Sequence, residues 1–238
     1  AMAAWRAGIS AEIIWADVDR GIMVSKAING IETMTPNLFS SRKGSPARAG
    51  LALAKLHNSG EVFDFRFDLF NMIDEYLKIL SSKNAELPDG YHDIVDAAKP
   101  VKEALIANPN PLAPCHCDPL CENFLDDGNN LWIVDWEYSG MNDPMWDLGD
   151  LSVEAGMDEN QENEMLIAYF GKEPTAAQKG RVIIYKAMCD LLWTLWGLIQ
   201  HADKNPAEDF WAYSIERFER CKRLMQKSEF ADHINAIK

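Results

Sequence analysis

Positive charge is what this chain has least of: 23 Lys and Arg stand against 37 Asp and Glu, a formal net charge of −14 at pH 7. A nucleic-acid partner would favour a basic face, so this balance argues against one, while it suits a small cationic ligand. Cysteine is sparse as well. Five in 238 residues, an odd number, do not make the framework of a small secreted disulfide scaffold. Cys115, Cys117 and Cys121 crowd around His116, but C-x-C and C-x3-C are not the C-x2-C pairs of structural zinc, and no second pair follows. No stretch approaches the ~20 apolar residues of a membrane span, no secretory leader is visible, and no repeat or low-complexity run occurs. A reducing cytoplasm is the expected compartment. With 47% hydrophobic and 25% charged residues, there is material for a sizeable core.

What is present concentrates between Cys115 and Asp150, CHCDPLCENFLDDGNNLWIVDWEYSGMNDPMWDLGD. Asp118 and Asn123 read as lying on an irregular loop, bounded by Pro114 and the apolar pair Phe124 and Leu125, with Pro119 keeping it out of regular helix. Residues 126–130 (DDGNN) are a turn cluster with Asp-Gly as the hairpin signal. LWIV then reads as a short buried strand that delivers Asp135 to its end. An acid and an amide on a loop, hairpinned to a strand that ends in a second acid, bring three polar groups to one point. Moving a γ-phosphoryl group needs such a set: a carboxylate to orient or deprotonate the acceptor hydroxyl, and oxygen ligands to hold Mg²⁺ against the nucleotide phosphates. Asp118 fits the first role, Asn123 and Asp135 the second.

This H-x-D-x-x-x-x-N pattern, from His116 to Asn123, followed by an apolar strand and Asp135, resembles the catalytic core of aminoglycoside phosphotransferase-like kinases. The second element is Asp135–Trp136–Glu137 where protein kinases have D-F-G. The resemblance implies ATP and Mg²⁺ as cofactors, and His116 beside Asp118 as the catalytic pair. It also implies an α+β, two-lobed protein-kinase-like fold, with a small incomplete β-containing N-lobe and a largely helical C-lobe. The boundary is expected at residue 34, giving residues 1–34 as partial N-lobe and hinge, and 35–238 as C-lobe. Adenine is then expected at the hinge, at Lys26, Ala27 and Ile28.

Along the chain, AMAAWRAG reads as the last turns of a helix stopped by Gly8. EIIWADVDRGIMVSKAI reads as a hairpin turned at Asp19, Arg20 and Gly21, its second strand ending at Asn29–Gly30. Residues 35–44 suggest a connector. Helices are expected over 46–58, with Leu51, Ala54, Leu53 and Leu56 on the apolar face, over 67–80, and over 91–107 with an interruption near Pro100. Three more are expected over 159–171, 175–202 and 208–227. His57 and His92 receive no role. Asp147 is expected to fix the catalytic loop by hydrogen bonds.

The 190–200 segment, DLLWTLWGLIQ, puts Trp193 and Trp196 on one helical face. Such pairs usually mean core packing, yet tryptophan is also the best ring for a quaternary ammonium. W-x-x-W-x-x-x-Q, with VDWEYSG at 134–140 and DLGDLSVE at 147–154, resembles the choline/ethanolamine kinase family. That resemblance implies an amine pocket lined by Tyr138, Glu154, Trp193, Trp196 and Tyr213, and a small cationic amino alcohol as substrate. The expected activity is ATP-dependent phosphorylation of the hydroxyl of choline or a related amino alcohol. Ethanolamine, thiamine or an aminoglycoside are alternative acceptors, and a catalytically dead amine-binding module is the alternative of another class. Two departures stand out. The family's glycine-rich phosphate hairpin, its basic strand residue and the helix glutamate that pairs with it are absent from the sequence given, which is expected to lack an N-terminal portion. Cys117 occupies a position where the family often has asparagine.

Overall fold

A helix of barely more than one turn, α1 (Met2–Arg6), is followed by Gly8 at φ 74°, a conformation glycine adopts without strain. The antiparallel hairpin β1 (Ile13–Asp17) and β2 (Ile22–Ser25) comes next, with Asp17 opposite Ile22 and Ser25 already opposite Ile13. That register explains why β2 stops at Ser25 and does not continue to Asn29–Gly30: its partner strand has run out. Ile14, Trp15, Ile22, Met23 and Val24 are all exposed on this ribbon. The computed structural model describes the whole chain, residues 1–238.

After β3 (Glu32–Thr33), the expected connector contains a helix, α2 (Pro36–Ser41). The Thr35 hydroxyl accepts from the Leu38 N–H at 3.2 Å, and Pro36 fills the first helical position, where its missing N–H costs nothing. Helix α3 (Ser45–His57) buries Ala49, Ala52, Leu53 and Leu56. Leu51, expected on that face, is 51% exposed because it lies off the i, i+3, i+4 stripe. Helix α4 (Leu69–Ser82) is capped by Asp68. The expected break near Pro100 separates α5 (Tyr91–Ala97) from α6 (Lys99–Ala107).

Strands β4 (Ala113–Cys115), β5 (Phe124–Asp126), β6 (Leu131–Ile133) and β7 (Gly140–Asn142) are three residues each. β5 lies between β3 and β6, and β4 pairs with β7. Helix α7 (Met145–Glu154) forms despite Gly149 and carries both Asp147 and Glu154. Capping boxes open α8 (Glu159–Phe170) at Asp158 and Gln161, and α9 (Ala176–Ala202) at Thr175 and Gln178. The chain closes with α10 (Phe210–Met225) and α11 (Phe230–Ala236).

Contacts divide the chain into two units, Ala1–Arg66 with Pro111–Pro174, and Phe67–Asn110 with Thr175–Lys238. In the first, α3 and α8 approach so closely that a Cβ on Gly50 would stand 2.3 Å from the Met165 carbonyl oxygen. The sheet of β3, β5 and β6 is pinned at one end by Asp126, a fully buried carboxylate at the end of its central strand β5. Asp126 accepts from Arg48 Nε at 3.0 Å and Nη2 at 2.5 Å, and from the Gly128 N–H at 2.7 Å.

In the second unit α9 is the axis, with α4, α10 and α11 packed on it. Contrary to the expectation of no membrane-length apolar stretch, α9 is long and apolar enough to span a bilayer by length and composition. Counting consecutive apolar residues missed it because Lys186 and Asp190 break the run. Its most apolar window is 78% buried against protein, which is the pattern of a core helix. Leu191, Leu192, Leu195 and Leu198 are buried along it, each contributing about 1.5–3 kcal/mol. Gly197 is required by the close approach of α10, since a Cβ there would meet Ser214 Oγ at 2.4 Å.

Candidate active site

The loop after β4 is held by several hydrogen bonds to its backbone. Asp147, in the first turn of α7 and fully buried, accepts from the His116 N–H at 2.7 Å and the Cys117 N–H at 2.9 Å. The Cys117 carbonyl accepts from the Trp146 indole N–H at 3.0 Å. Between these anchors Cys117 sits at φ 69°, a left-handed conformation that asparagine tolerates better than most residues. A preference for asparagine at this position thus has a backbone reason as well as a hydrogen-bonding one.

His116, expected beside Asp118 in the catalytic pair, is fully buried with both ring nitrogens engaged. Nε2 lies 2.8 Å from the Val134 carbonyl, which can only accept, so Nε2 carries the proton. Nδ1 accepts from the Asp118 N–H at 3.3 Å. Burial lowers the imidazole pKa against the opposing pull of Asp147, the Val134 carbonyl and Asp135, which favours the neutral ring. Trp136 stacks edge-on against it at 4.8 Å. In this structure both ring nitrogens of His116 are taken up by backbone groups of Val134 and Asp118.

Asp118 is half-buried. Its backbone carbonyl accepts from the Leu120 N–H at 2.9 Å and from the Asn123 side-chain N–H at 3.0 Å. The Val134 N–H donates to the Asn123 carbonyl at 2.9 Å, extending the β5–β6 pairing by one step and carrying Asp135 to the Asn123 end of the loop. Asp135 is exposed and at φ 62°, so its carboxylate leaves the strand line. The loop network therefore brings Asp118, His116, Asn123 and Asp135 together. An amide oxygen and a carboxylate are hard donors of the kind Mg²⁺ takes, and the Asn123 nitrogen, committed to Asp118, leaves its oxygen for that use.

The other expected residues fall outside this network. Lys26 and Ala27 are exposed and Ile28 half-buried, with Lys26 Nζ 3.5 Å from Glu12. Tyr138 is half-buried in the turn before β7. Glu154, the last residue of α7, is near enough to Cys121 to add to the upward shift of that thiol, after burial and Glu122. Burial also pushes the thiols of Cys115 and Cys117 up.

In the second unit, Trp196 is half-buried within an edge-to-face cluster. Its ring centroid lies 6.5 Å from Trp193, 5.6 Å from Phe210 and 5.9 Å from Tyr213. Trp193 is only 4% exposed. The Arg217 guanidinium stands 4.4 Å over the Tyr213 ring, and the buried Asp190 carboxylate holds that arginine at 3.4 Å and Arg220 at 2.6 and 2.7 Å. Phe210, three residues before Tyr213 on α10, completes the cluster and is a ring that the family resemblance did not single out. His57 was missed altogether: its ring bonds Asp147, from 90 residues away, at 2.9 Å.

Comparison with known proteins identifies the family. The profile described as "Phosphotransferase enzyme family" matches residues 28–178. A crystal structure of a choline/ethanolamine kinase family protein from Mesorhizobium loti is 61% identical. The match covers all of this chain and 81% of that one, with a TM-score of 0.96. Choline kinase LicA from Streptococcus pneumoniae is 26% identical over 94% of this chain and 77% of its own, with a TM-score of 0.78. LicA in complex with AMP matches at 25% identity and a TM-score of 0.75, covering 98% of this chain and 76% of its own. The mixed α+β, kinase-like fold expected from the sequence is the fold found. A profile matched over more than half the chain, and a 61% identical relative that spans all of it, make the chain a small-molecule kinase that belongs to the choline/ethanolamine kinase family of phosphotransferases.

Proposed function

We propose that this kinase phosphorylates the hydroxyl of choline with ATP as donor. The observation that carries the reading is the backbone network that fixes Asp118, a half-buried residue, in the loop after β4. Asp118 accepts a hydrogen bond from the choline hydroxyl, orients its oxygen in line with the γ-phosphorus and takes its proton as the new O–P bond forms. The bond from the γ-phosphorus to the bridging oxygen breaks, and ADP leaves with that electron pair. His116 and Asn123 keep the loop in register during transfer. Asn123 and Asp135 would hold Mg²⁺, which when bound offsets the negative charge of the phosphates. Lys26, Ala27 and Ile28 receive the adenine. In chain order, residues 1–34 belong to an N-terminal lobe and residues 35–238 to the C-terminal lobe.

The acceptor reading rests on aromatic faces and a carboxylate. Trp196, with Trp193, Tyr213 and Tyr138 beside it in role, offers π faces to a trimethylammonium group, and Glu154 supplies the negative charge. Ethanolamine is the second reading, since the 61% identical relative is named for both amines. The five buried free cysteines suit a reducing cytoplasm. The deciding experiment measures ADP release with choline, ethanolamine, thiamine and an aminoglycoside at matched concentrations, using the full natural chain. Choline should give the highest kcat/KM. A higher value for any other acceptor overturns the choline assignment, and ADP release with none supports the dead module instead.

A further inference from the structure

We propose that His57 and Tyr169 are positioning residues for phosphoryl transfer: they form a buried hydrogen-bond chain that fixes Asp147, and through it the loop presenting Asp118. The inference rests on the reading of Asp118 given above. The chain starts from helix packing. Gly50 lets α3 and α8 close together beside Met165, and further along the same two helices His57 and Tyr169 meet with ring centroids 5.5 Å apart. Burial, with the charges of Cys115, Asp147 and Asp143 nearby, pushes the Tyr169 hydroxyl well up, so it keeps its proton and donates. Its oxygen stands 2.9 Å from His57 Nδ1. That assigns the ring proton to Nε2, which donates to Asp147 Oδ2 at 2.9 Å.

Asp147 is a fully buried carboxylate held by N–H donors: the His57 ring and the two backbone amides of His116 and Cys117. A buried carboxylate without enough donors is expensive, so each donor has weight. The loop it grips includes a left-handed cysteine, a conformation that persists only when its surroundings enforce it. Loosening Asp147 therefore releases backbone directly before Asp118, and a displacement of about 1 Å at a reacting group can cost on the order of 10²-fold in rate. His57, Cys115 and Asp147 also place potential metal-ligating atoms within 4.8 Å of one another. Their protons are already committed: the His57 N–H lies on Asp147, and burial keeps the Cys115 thiol protonated beside the Asn142 carbonyl at 3.7 Å. Positioning accounts for the cluster without a metal.

The test measures kcat and both KM values per nucleotide-binding site, with a thermal melt, for His57→Leu, His57→Gln, Tyr169→Phe and Asp118→Asn. His57→Leu should lose on the order of 10²-fold in kcat with both KM values near wild type. His57→Gln, which restores an N–H donor toward Asp147, should recover most of that loss. Tyr169→Phe should lose about 10-fold, the scale of one buried hydrogen bond. Wild-type kcat in Tyr169→Phe and His57→Leu overturns the proposal, as does an equal loss in the Gln and Leu variants that follows the melting temperature. If His57→Leu does not fold, Tyr169→Phe decides: wild-type kcat in that variant overturns the proposal. Asp118→Asn separates the two readings. Normal turnover in that variant removes the Asp118 assignment itself, whereas its inactivity beside fully active His57 and Tyr169 variants removes only the positioning chain.

Discussion

Asn123 donates its side-chain N–H to the backbone carbonyl of Asp118 at 3.0 Å, so the residue suited to a metal also braces the residue suited to the hydroxyl. The donor half of the amide is needed for the brace and the oxygen half for the metal. Asn123→Asp keeps an oxygen ligand and adds charge, but sets a carboxylate against a carbonyl oxygen. Leaving that carbonyl short of a donor costs about 1–3 kcal/mol, so kcat should fall by about 10- to 100-fold even at saturating Mg²⁺. A metal titration of kcat is the check. Full recovery at high Mg²⁺ would mean that only metal affinity had changed.

Asp135 stands at the end of the hairpin with an exposed carboxylate and a left-handed backbone. Asp135→Ala should remove the Mg²⁺ dependence of nucleotide binding, read by calorimetry with a non-hydrolysable ATP analogue. The backbone bond between Val134 and Asn123 does not use the Asp135 side chain, so the melt should hardly move. Unchanged affinity with and without metal would return Asp135 to a structural role.

The two tryptophans should separate. Trp196 is half-buried, and Trp196→Leu should reduce kcat/KM for choline by roughly 30-fold, the equivalent of a desolvated cation–π contact of about 2 kcal/mol. Ethanolamine should suffer less, because its ammonium can hydrogen-bond. Trp193 is 4% exposed, so Trp193→Leu should act chiefly on the melting temperature and on both amines alike. The opposite ranking would make Trp193 the amine-binding ring.

Asp126 sets an acid limit on the first unit. Burial works to raise its carboxyl, but the Arg48 hydrogen bonds, the Gly128 N–H and the Arg48 and Arg42 charges outweigh it and hold the group below its ordinary value. A depressed folded-state pKa adds stability that is present above the unfolded value, near ~4, and is lost as pH falls through the folded one. Asp126→Asn should cost about 3 kcal/mol at neutral pH, because it strands Arg48. The gap between variant and wild type in denaturant titrations should narrow below pH ~4. A gap that stays constant down to acid unfolding would contradict the linkage.

Most of the loop's geometry was legible because it is local. Asp118, Asn123, the Asp-Gly turn and Asp135 lie within 18 residues, and short hairpins bring near neighbours together. His57 was not legible, because its partner Asp147 is reached only through the packing of α3 and α7, which no spacing reveals. The α2 helix was hidden by composition: Pro36, Ser40, Ser41 and Gly44 look like a connector, whereas Thr35 caps a helix that Pro36 opens. Leu51 was placed on the wrong face because a single apolar residue was counted and not its phase against Ala49, Leu53 and Leu56. Tyr213 was read as an amine ligand without the Arg217 cation that stacks on it, since residues four apart on a helix suggest contact but not which face is covered.

All five cysteines are free and buried, and burial raises the pKa of Cys115, Cys117 and Cys121 around the catalytic loop. Alkylating reagents attack thiolate, so in the closed molecule these sulfurs are both hidden and in the wrong ionisation state. Each modification event must wait for the loop to open. Labelling speed at Cys117 is therefore a stopwatch on the breathing of the segment that carries Asp118, readable by mass spectrometry. A bound nucleotide or amine that slows the stopwatch would report tightening of that segment without any measurement of turnover.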